Sequence, residues 1–214
     1  THSREIDDAD ETMNHGTKVL MDLVQPWTNS VTPRVVCADS YFASVQTLIA
    51  LDKVGLRFIG VVKTATKQFP MSHLQSHELT QGRGDLYFVC SKNEEGMPMM
   101  HAFVWVDRER RYFISNAASL LPTLPIYRQR WRQVDRTRNA DAENVTLEIP
   151  QTEATALYYN VAGCIDQHNR TRQDDLEIER CLVTNDWATR VNLSIFSIEV
   201  VDSYYVYNAC KGVK

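Results

Sequence analysis

Apolar and polar positions in the first forty residues predict a short helix followed by a strand. Residues 1–16 are acidic and polar and are expected to form a loop. Residues 17–27 place apolar side chains on one helical face, and Pro26 marks the end because proline cannot continue a helix. Residues 34–38 are a β-branched apolar run, which is typical of a strand covered on both faces.

The apolar pattern then predicts a second helix and a second strand. Residues 41–54 repeat apolar side chains at helical spacing, with Ser40 as a candidate N-cap and Gly55 as the stop. Residues 57–63 form the next apolar run (RFIGVVK). A strand, a helix and a strand in succession pair in parallel through a right-handed crossover. The sequence therefore predicts a parallel pair of strands here.

The connections change character in the middle of the chain. Residues 85–91, 97–106 and 111–116 are strand-like, and turn-forming residues at 93–96 and 107–110 join them. Strands joined by short turns pair in antiparallel fashion. This part of the chain is therefore expected to be an antiparallel meander. A further short strand is expected at 144–149.

Two helices are predicted near the C-terminus. The first begins near residue 152 and keeps a helical apolar period over three turns. The second covers residues 187–209 and is capped by Asn185 or Asp186. It is the most apolar helix of the chain but is interrupted by polar residues, so it is too polar to span a membrane and is expected to be a buried core helix.

These patterns give three expected parts. Residues 1–83 contain the strand–helix–strand unit, residues 84–150 a β-rich insertion, and residues 151–214 the C-terminal helices. Because the meander is hairpin-linked, we expect it to lie outside the mixed sheet formed by the first part. The sequence shows no internal repeat.

Composition narrows the class of protein. A length of 214 residues and a hydrophobic content of 43% suit a globular fold, and the net charge of −4 lacks the overall basic signature of a nucleic-acid binder. The five cysteines are scattered without zinc-ligand spacing, which indicates reduced thiols in a cytosolic or nuclear protein. The chain starts with no signal peptide and no Met, so it reads as part of a longer chain.

Asp39 and Asp166 are the candidate metal-binding carboxylates. Asp39 follows the apolar run 34–38, at the strand end where open α/β sheets place their sites. Asp166 borders the apolar stripe of the first C-terminal helix, with Asn169 and Arg170 on its face. Each has a structural alternative: Asp39 as a helix cap, and Asp166 as a surface residue paired with Arg170.

Four segments together resemble the piggyBac family of DDE/D transposases. Residues 39–44 (DSYFAS) resemble the family's strand-ending Asp and its aromatic flank. Residues 59–70 (IGVVKTATKQFP) are similar to its strand and basic loop, and residues 158–166 (YYNVAGCID) to its Y-N…G-G-V-D helix. Residues 186–190 (DWATR) resemble the start of its closing helix. Each motif is short, and the specificity lies in their order along most of the chain.

The resemblance implies an α/β fold with an RNase H-like mixed-sheet core, here without its early strands, and an inserted antiparallel β-rich subdomain. It implies that Asp39 is the second and Asp166 the third catalytic carboxylate, and that Asn169 is a further metal ligand. The implied cofactor is Mg²⁺ or Mn²⁺ in a two-metal arrangement, if the site is complete. The implied partners are DNA (transposon ends and target) and a second copy of the protein in a homodimer. The resemblance further implies that the protein acts in the nucleus and has no membrane partner.

Two departures from the family pattern bear on catalysis. The family's first carboxylate lies on an early strand, upstream of every matched segment, and the acids of residues 7–11 lie in a polar loop without a strand pattern. Asn169 stands where the family often has another Asp, and its carbonyl adds no charge. The chain by itself is therefore expected not to cleave DNA, because a two-metal site needs more carboxylates than Asp39 and Asp166.

Basic residues provide candidate DNA contacts. Residues 128–138 carry five arginines and one aspartate. Arginine pairs with phosphate in bidentate fashion, and an aromatic ring stacks on bases. The alternative interpretation is a solvated loop. The candidate contacts in this segment and after the second strand are Lys63, Lys67, Arg128, Arg130, Trp131 and Arg132.

Three functions remain open from the sequence. The first is the C-terminal part of a piggyBac-like catalytic domain that cuts and joins DNA in the complete protein. The second is a domesticated, non-catalytic module that binds DNA or another protein. The third is a degraded remnant of an element. An Asp on an apolar strand encoded upstream would favour the first function.

Overall fold

The computed structural model describes residues 13–28, 32, 34–64, 66–80, 82–92, 94, 96, 98–133, 142–177, 181 and 184–212. The chain divides into two compact units, Thr1–Tyr158 and Tyr159–Lys214. We call them unit 1 and unit 2 and describe each by itself. The expected N-terminal loop lies largely outside the described residues, which begin at Met13.

The elements follow the predicted order with additions. In chain order the helices and strands are α1 (His15–Val24), β1 (Val35–Ala38), α2 (Val45–Lys53), β2 (Arg57–Val62), α3 (Met71–Ser76), β3 (Leu86–Lys92), β4 (Pro98–Val106), β5 (Arg110–Ser115), β6 (Pro122–Gln133), β7 (Ala142–Thr152), α4 (Glu153–Arg170) and α5 (Trp187–Lys211). A 3-10 turn, Gln25–Trp27, follows α1 at Pro26, and a π-helical turn, Thr171–Asp175, extends α4. The sequence did not predict α3.

The parallel pair of strands is confirmed. β1 and β2 are parallel, with Ala38 opposite Gly60, and α2 connects them. The expectation that the first strand is covered on both faces is wrong. β1 is an edge strand of a five-stranded sheet ordered β1-β2-β5-β4-β3, and Val35 is 43% exposed.

The antiparallel meander is confirmed, but its expected position outside the mixed sheet is wrong. β3 pairs with β4 and β4 with β5 in antiparallel register. β5 then pairs with β2, with Ile59 opposite Ser115, so the meander extends the sheet that carries β1. A hairpin-linked strand with two apolar faces can form a separate sheet or join the mixed sheet. Here the pairing of β5 with β2, more than fifty residues apart in the sequence, places the meander in the mixed sheet.

β6 and β7 form a separate two-stranded antiparallel sheet. β7 is longer than the strand expected at residues 144–149. The sequence did not predict β6, and the interpretation of the arginine-rich segment as a solvated loop is wrong for residues 128–133, which belong to this strand. Arg128, Arg130 and Arg132 alternate with Gln129, Trp131 and Gln133, which is the period of a strand. Residues 134–138 of the arginine-rich segment lie outside the described residues.

The core of unit 1 lies on both faces of the five-stranded sheet. On one face, α1, α2 and α3 pack against the sheet. The residues buried there include Leu48 and Leu51 of α2 and Phe58 of β2. On the other face the rings of Phe103 and Phe113 stack with centroids 4.9 Å apart. Full burial of each such side chain contributes about 1.5–3 kcal/mol, so the sheet that carries β1 is held from two sides.

Unit 2 contains the C-terminal part of α4, the π-helical turn and α5. Asp186 caps α5 as one of the two predicted caps, accepting a hydrogen bond from the Thr189 backbone N–H. The expectation of a buried core helix is wrong, because the buried residues of α5 are Ser197 and Val201. The buried face of α5 is narrow. Large apolar side chains such as that of Phe196, which is 57% exposed, lie outside this face. No helix in the described part of the chain combines the length and apolar character needed to cross a membrane.

Candidate functional site

Asp39 lies at the carboxyl end of β1 and organises the turn that follows. Its Oδ1 accepts a hydrogen bond of 3.0 Å from the Tyr41 N–H, and its backbone carbonyl accepts from Phe42 and Ala43. The alternative of a helix cap is wrong, because α2 begins later and is capped by Ser44 rather than Ser40. The Asp39 side chain is exposed, and its second carboxylate oxygen has no hydrogen-bond partner among the described residues.

Two close backbone approaches fix this turn. A Cβ at Gly16 would come within 2.8 Å of the Tyr41 carbonyl oxygen, so α1 lies directly against the turn. A Cβ at Gly60 would come within 2.8 Å of the Ala43 Cβ, so β2 lies directly against its other end. Glycine at both positions removes the atom that would push the turn away. The turn that carries Asp39 is therefore held closely by α1 at one end and by β2 at the other.

A buried hydroxyl network locks the same turn to the helices. The Thr47 Oγ1 lies 2.8 Å from the Thr17 Oγ1 and 2.9 Å from the Ser44 Oγ, and it donates to the Phe42 carbonyl at 2.7 Å. Thr17, Ser44 and Thr47 are buried, so these groups need one another as partners. The network joins α1, α2 and the turn into one rigid support for Asp39.

Lysines lie at the same edge of the sheet as Asp39. Parallel strands bring their carboxyl ends together, and β2 ends at Val62, immediately before Lys63. Lys63 and Lys67 are both exposed. This edge therefore presents a carboxylate beside two cations that are available to a polyanion.

Asp166 and Asn169 lie on α4 within unit 2. Asp166 is exposed and makes no hydrogen bond or ion pair with a described residue, so its pairing with Arg170 is not seen. The His168 Nε2 lies 3.1 Å from the Asp202 Oδ1, which directs that face of α4 toward α5. Asp166 is two residues away, about 200° around the helix, and therefore points away from α5.

The described residues contain no group of three or more His, Cys, Asp or Glu side chains that could hold a metal ion. Asp39 belongs to unit 1, whereas Asp166 and Asn169 belong to unit 2. Their assembly into one site stays a prediction. Carboxylate and amide oxygens are the hard ligands that Mg²⁺ prefers, and both acids are exposed, so the donor chemistry suits the metal.

The arginines of β6 separate into different roles. The Arg128 guanidinium pairs with the Asp107 carboxylate at 3.3 Å, and Arg83 pairs with the same carboxylate at 3.2 Å. Asp107 is 7% exposed, so this is a largely buried ion pair that attaches β6 to the turn after β4. Arg130 is exposed. The side chains of Trp131 and Arg132 lie outside the described residues.

The structure also contains a cavity of mixed polar and apolar lining that the sequence does not reveal. It has a volume of about 560 Å³ and runs along α2 between Asn14 and the loop after β2, with Lys53, Thr66 and Lys67 in its lining.

The thiol of Cys37, on β1, is unsuited to chemistry at neutral pH. Burial raises the pKa of its thiol to about 11, so the thiol stays protonated.

Comparison with known proteins gives the family. Residues 1–204 match the family model described as Transposase IS4. The fold is similar to a cryo-EM structure of the piggyBac transposase synaptic complex with hairpin DNA, with a TM-score of 0.57 and 16% sequence identity over 95% of this chain. The chain spans 37% of the length of that transposase chain, and no curated protein matches. The similarity shows an RNase H-like fold. Because the family model covers nearly the whole sequence, the chain belongs to the Transposase IS4 family.

Proposed function

We propose that this chain is part of the catalytic domain of a piggyBac-type DDE/D transposase. In the complete protein it would cleave DNA phosphodiester bonds and transfer the strands with divalent metal ions. The family match supports a transposase, and the fold similarity together with the four ordered motifs supports the piggyBac type.

The observation that carries this proposal is the placement of Asp39. It follows a parallel strand, its side chain is exposed, and α1, α2 and β2 fix the turn that holds it. A catalytic ligand needs such support, because a misplacement of about 1 Å is enough to impair catalysis. Lys63 and Lys67, at the same edge, would contact DNA phosphates.

Asp39, Asp166 and Asn169 would hold the metal ions. Bound Mg²⁺ or Mn²⁺ would activate the attacking oxygen and stabilise the leaving oxygen of the phosphate. The two carboxylates would supply negative charge and hard oxygen donors, and Asn169 a neutral carbonyl. We further propose that transposon ends and target DNA are the partners, that the complete protein acts as a homodimer, and that it acts in the nucleus.

A non-catalytic DNA-binding or protein-interaction module is the second candidate function. It is favoured for this chain in isolation, because the sequence matches only two of the family's three catalytic carboxylates, Asp39 and Asp166. The exposed basic residues of this chain would still bind DNA, in a manner that depends strongly on salt.

The test is metal-dependent nicking of supercoiled plasmid by this chain and by the full-length gene product. We expect no nicking by the chain, and nicking by the full-length product in Mg²⁺ or Mn²⁺. Asp39→Asn should reduce that nicking by more than about a hundredfold, since even outer partners of metal ligands cost about 10–100-fold when removed. Asparagine still accepts the Tyr41 hydrogen bond, so the turn should persist.

The matched control is Asp22→Asn, which removes one exposed carboxylate on α1 and should leave nicking unchanged. Nicking by the chain alone that Asp39→Asn abolishes would show that a further ligand lies within these residues. Full nicking by the Asp39→Asn full-length product would exclude Asp39 as a metal ligand.

A further inference from the structure

Two threonines join the first turns of α1 and α2. Thr17 and Thr47 are each the third residue of their helix. Each donates its backbone N–H to the side chain of its own N-cap, which is Asn14 for α1 and Ser44 for α2. The two threonine hydroxyl oxygens lie 2.8 Å apart, and both residues are at most 1% exposed. A buried contact between side chains therefore ties the beginnings of the two helices together.

The Thr47 hydroxyl has one proton, and its neighbours decide where that proton goes. The Phe42 carbonyl oxygen lies 2.7 Å from the Thr47 Oγ1 and can only accept, so Thr47 donates to it. The lone pairs of Thr47 are then left to accept from the hydroxyls of Ser44, at 2.9 Å, and Thr17, at 2.8 Å. Thr17 shares its own proton between Thr47 and the Asn14 Oδ1, which lies 3.0 Å away. The hydrogen-bonding capacity of Thr47 is therefore used in full by the protein.

Phe42 carries the contact with Thr47 onward to Asp39. Thr47 holds the Phe42 carbonyl, while the Phe42 N–H donates to the Asp39 carbonyl at 3.3 Å, beside the Ala43 N–H at 3.1 Å. The Tyr41 N–H donates to the Asp39 carboxylate itself. A fixed Phe42 backbone therefore fixes the turn between Asp39 and α2, and with it the direction of the Asp39 side chain.

We propose that Thr47 is a positioning residue for Asp39 as a metal ligand and acts through the backbone of Phe42. The inference rests on the proposed function, because it takes Asp39 as a metal ligand. Thr47 itself contacts neither metal nor DNA, since its hydroxyl is buried and fully used. Its effect comes from holding the carboxylate in one orientation, because a ligand that must first be ordered binds a metal ion more weakly.

The first measurement concerns the turn and needs no metal. In this chain, Thr47→Val removes the hydroxyl and keeps the shape, so amide hydrogen exchange at Phe42 and Ala43 should become at least about tenfold faster. Thr47→Ser restores the hydroxyl and should return both rates to those of the unsubstituted chain. Ser115→Ala is the control and should leave them unchanged, because it removes another buried hydroxyl, on β5, that accepts from the Ala117 N–H.

The second measurement concerns the metal. The electron paramagnetic resonance signal of free Mn²⁺ in a solution of the full-length gene product gives its affinity for the ion without DNA or turnover. Thr47→Val should weaken that affinity by about 10–100-fold, as when an outer partner of a metal ligand is removed. Thr47→Ser should restore it, and Ser115→Ala should leave it unchanged. Thr17→Val should have a smaller effect, since the hydrogen bond from Thr47 to Phe42 survives it.

A second variant covers a failure of Thr47→Val to fold. Thr47→Ala also lacks the hydroxyl and carries the same expectations, because alanine is the better helix former.

The outcomes separate this proposal from the proposed function. Unchanged exchange at Phe42 and Ala43 in Thr47→Val would overturn the path through Phe42. Faster exchange with unchanged Mn²⁺ affinity would overturn the positioning role and leave Thr47 with a structural role only. Equal weakening of Mn²⁺ binding by Ser115→Ala would also overturn it, since loss of any buried hydroxyl would then suffice. A full-length product that binds no Mn²⁺ would overturn the proposed function and the role of Thr47 with it.

Discussion

Asp186 shows how much one residue contributes to a helix at its beginning. Its carboxylate accepts hydrogen bonds from the Thr189 side chain at 2.5 Å and from the Thr189 backbone N–H at 2.8 Å. These two hydrogen bonds, with that of the side chain the larger, lower the pKa of Asp186 below its ordinary value of 3.8. The charged form is therefore the one that stabilises α5.

A lowered pKa gives this cap a defined pH dependence. The stabilisation is fully present above the ordinary carboxyl pKa and is lost as the pH falls through the lowered value. At pH 7, Asp186→Ala should lower the midpoint of thermal unfolding as followed by the helicity of α5. Below pH 4, the variant should lose less helicity than the unsubstituted chain, because it has no cap to lose. Asp186→Asn is the control, because asparagine caps at every pH.

The measurement is circular dichroism between pH 2 and 7. A midpoint for Asp186→Ala equal to that of the unsubstituted chain at pH 7 would exclude the cap as a source of stability.

Among the elements, β6 combines a structural arginine with an exposed one on the same face of the strand. Arg128 pairs with the buried Asp107, whereas Arg130 is exposed. Arg128→Ala should lower the free energy of unfolding by about 1–3 kcal/mol, because it removes one of the two partners of a buried carboxylate. Arg130→Ala should change it by less than about 0.5 kcal/mol. Urea unfolding measures both.

DNA binding should show the opposite order for the two substitutions. Arg130→Ala should lower the salt slope of binding by about 0.9, and Arg128→Ala by less, because its guanidinium is already paired. Equal effects of the two substitutions on the salt slope would contradict the assignment of Arg128 to a purely structural role.

Local patterns predicted most elements, and long-range contacts explain the misses. The continuous apolar runs at residues 34–38 and 57–63 are enough to predict β1 and β2. The sequence favours Ser40 as the cap of α2, but the turn that Asp39 holds delays the helix, and Ser44 is the cap. The pair Asp39 and Asp166 stays a predicted metal site, and the sequence shows neither the cavity along α2 nor the pairing of Arg128 with Asp107.

For the molecule as a whole, the central prediction is that Asp39 and Asp166 meet, although they lie 127 positions apart in the sequence. Metal sharing requires carboxylate oxygens within roughly 4–8 Å of one another, given metal–oxygen distances of about 2.1 Å and metals about 4 Å apart. Fe²⁺ bound in place of Mg²⁺, with ascorbate and peroxide, should therefore cleave the backbone near both residues.

Asp166→Asn should suppress cleavage near Asp39 as well as near Asp166, because both carboxylates hold the same ions. Asp174→Asn is the control, since Asp174 lies on the π-helical turn and not on the predicted site. Backbone cleavage confined to one of the two positions would contradict a shared site.

The lack of room for a Cβ atom at Gly60 has a consequence for how related copies of this sequence are judged. Any side chain there must displace Ala43 or Phe58, and with it the turn that carries Asp39. A copy with alanine or valine at position 60 would keep every acidic residue and still lose its activity. Counting the copies that keep every carboxylate therefore overestimates how many are active. A glycine two positions before the end of β2 is an equally informative marker of activity.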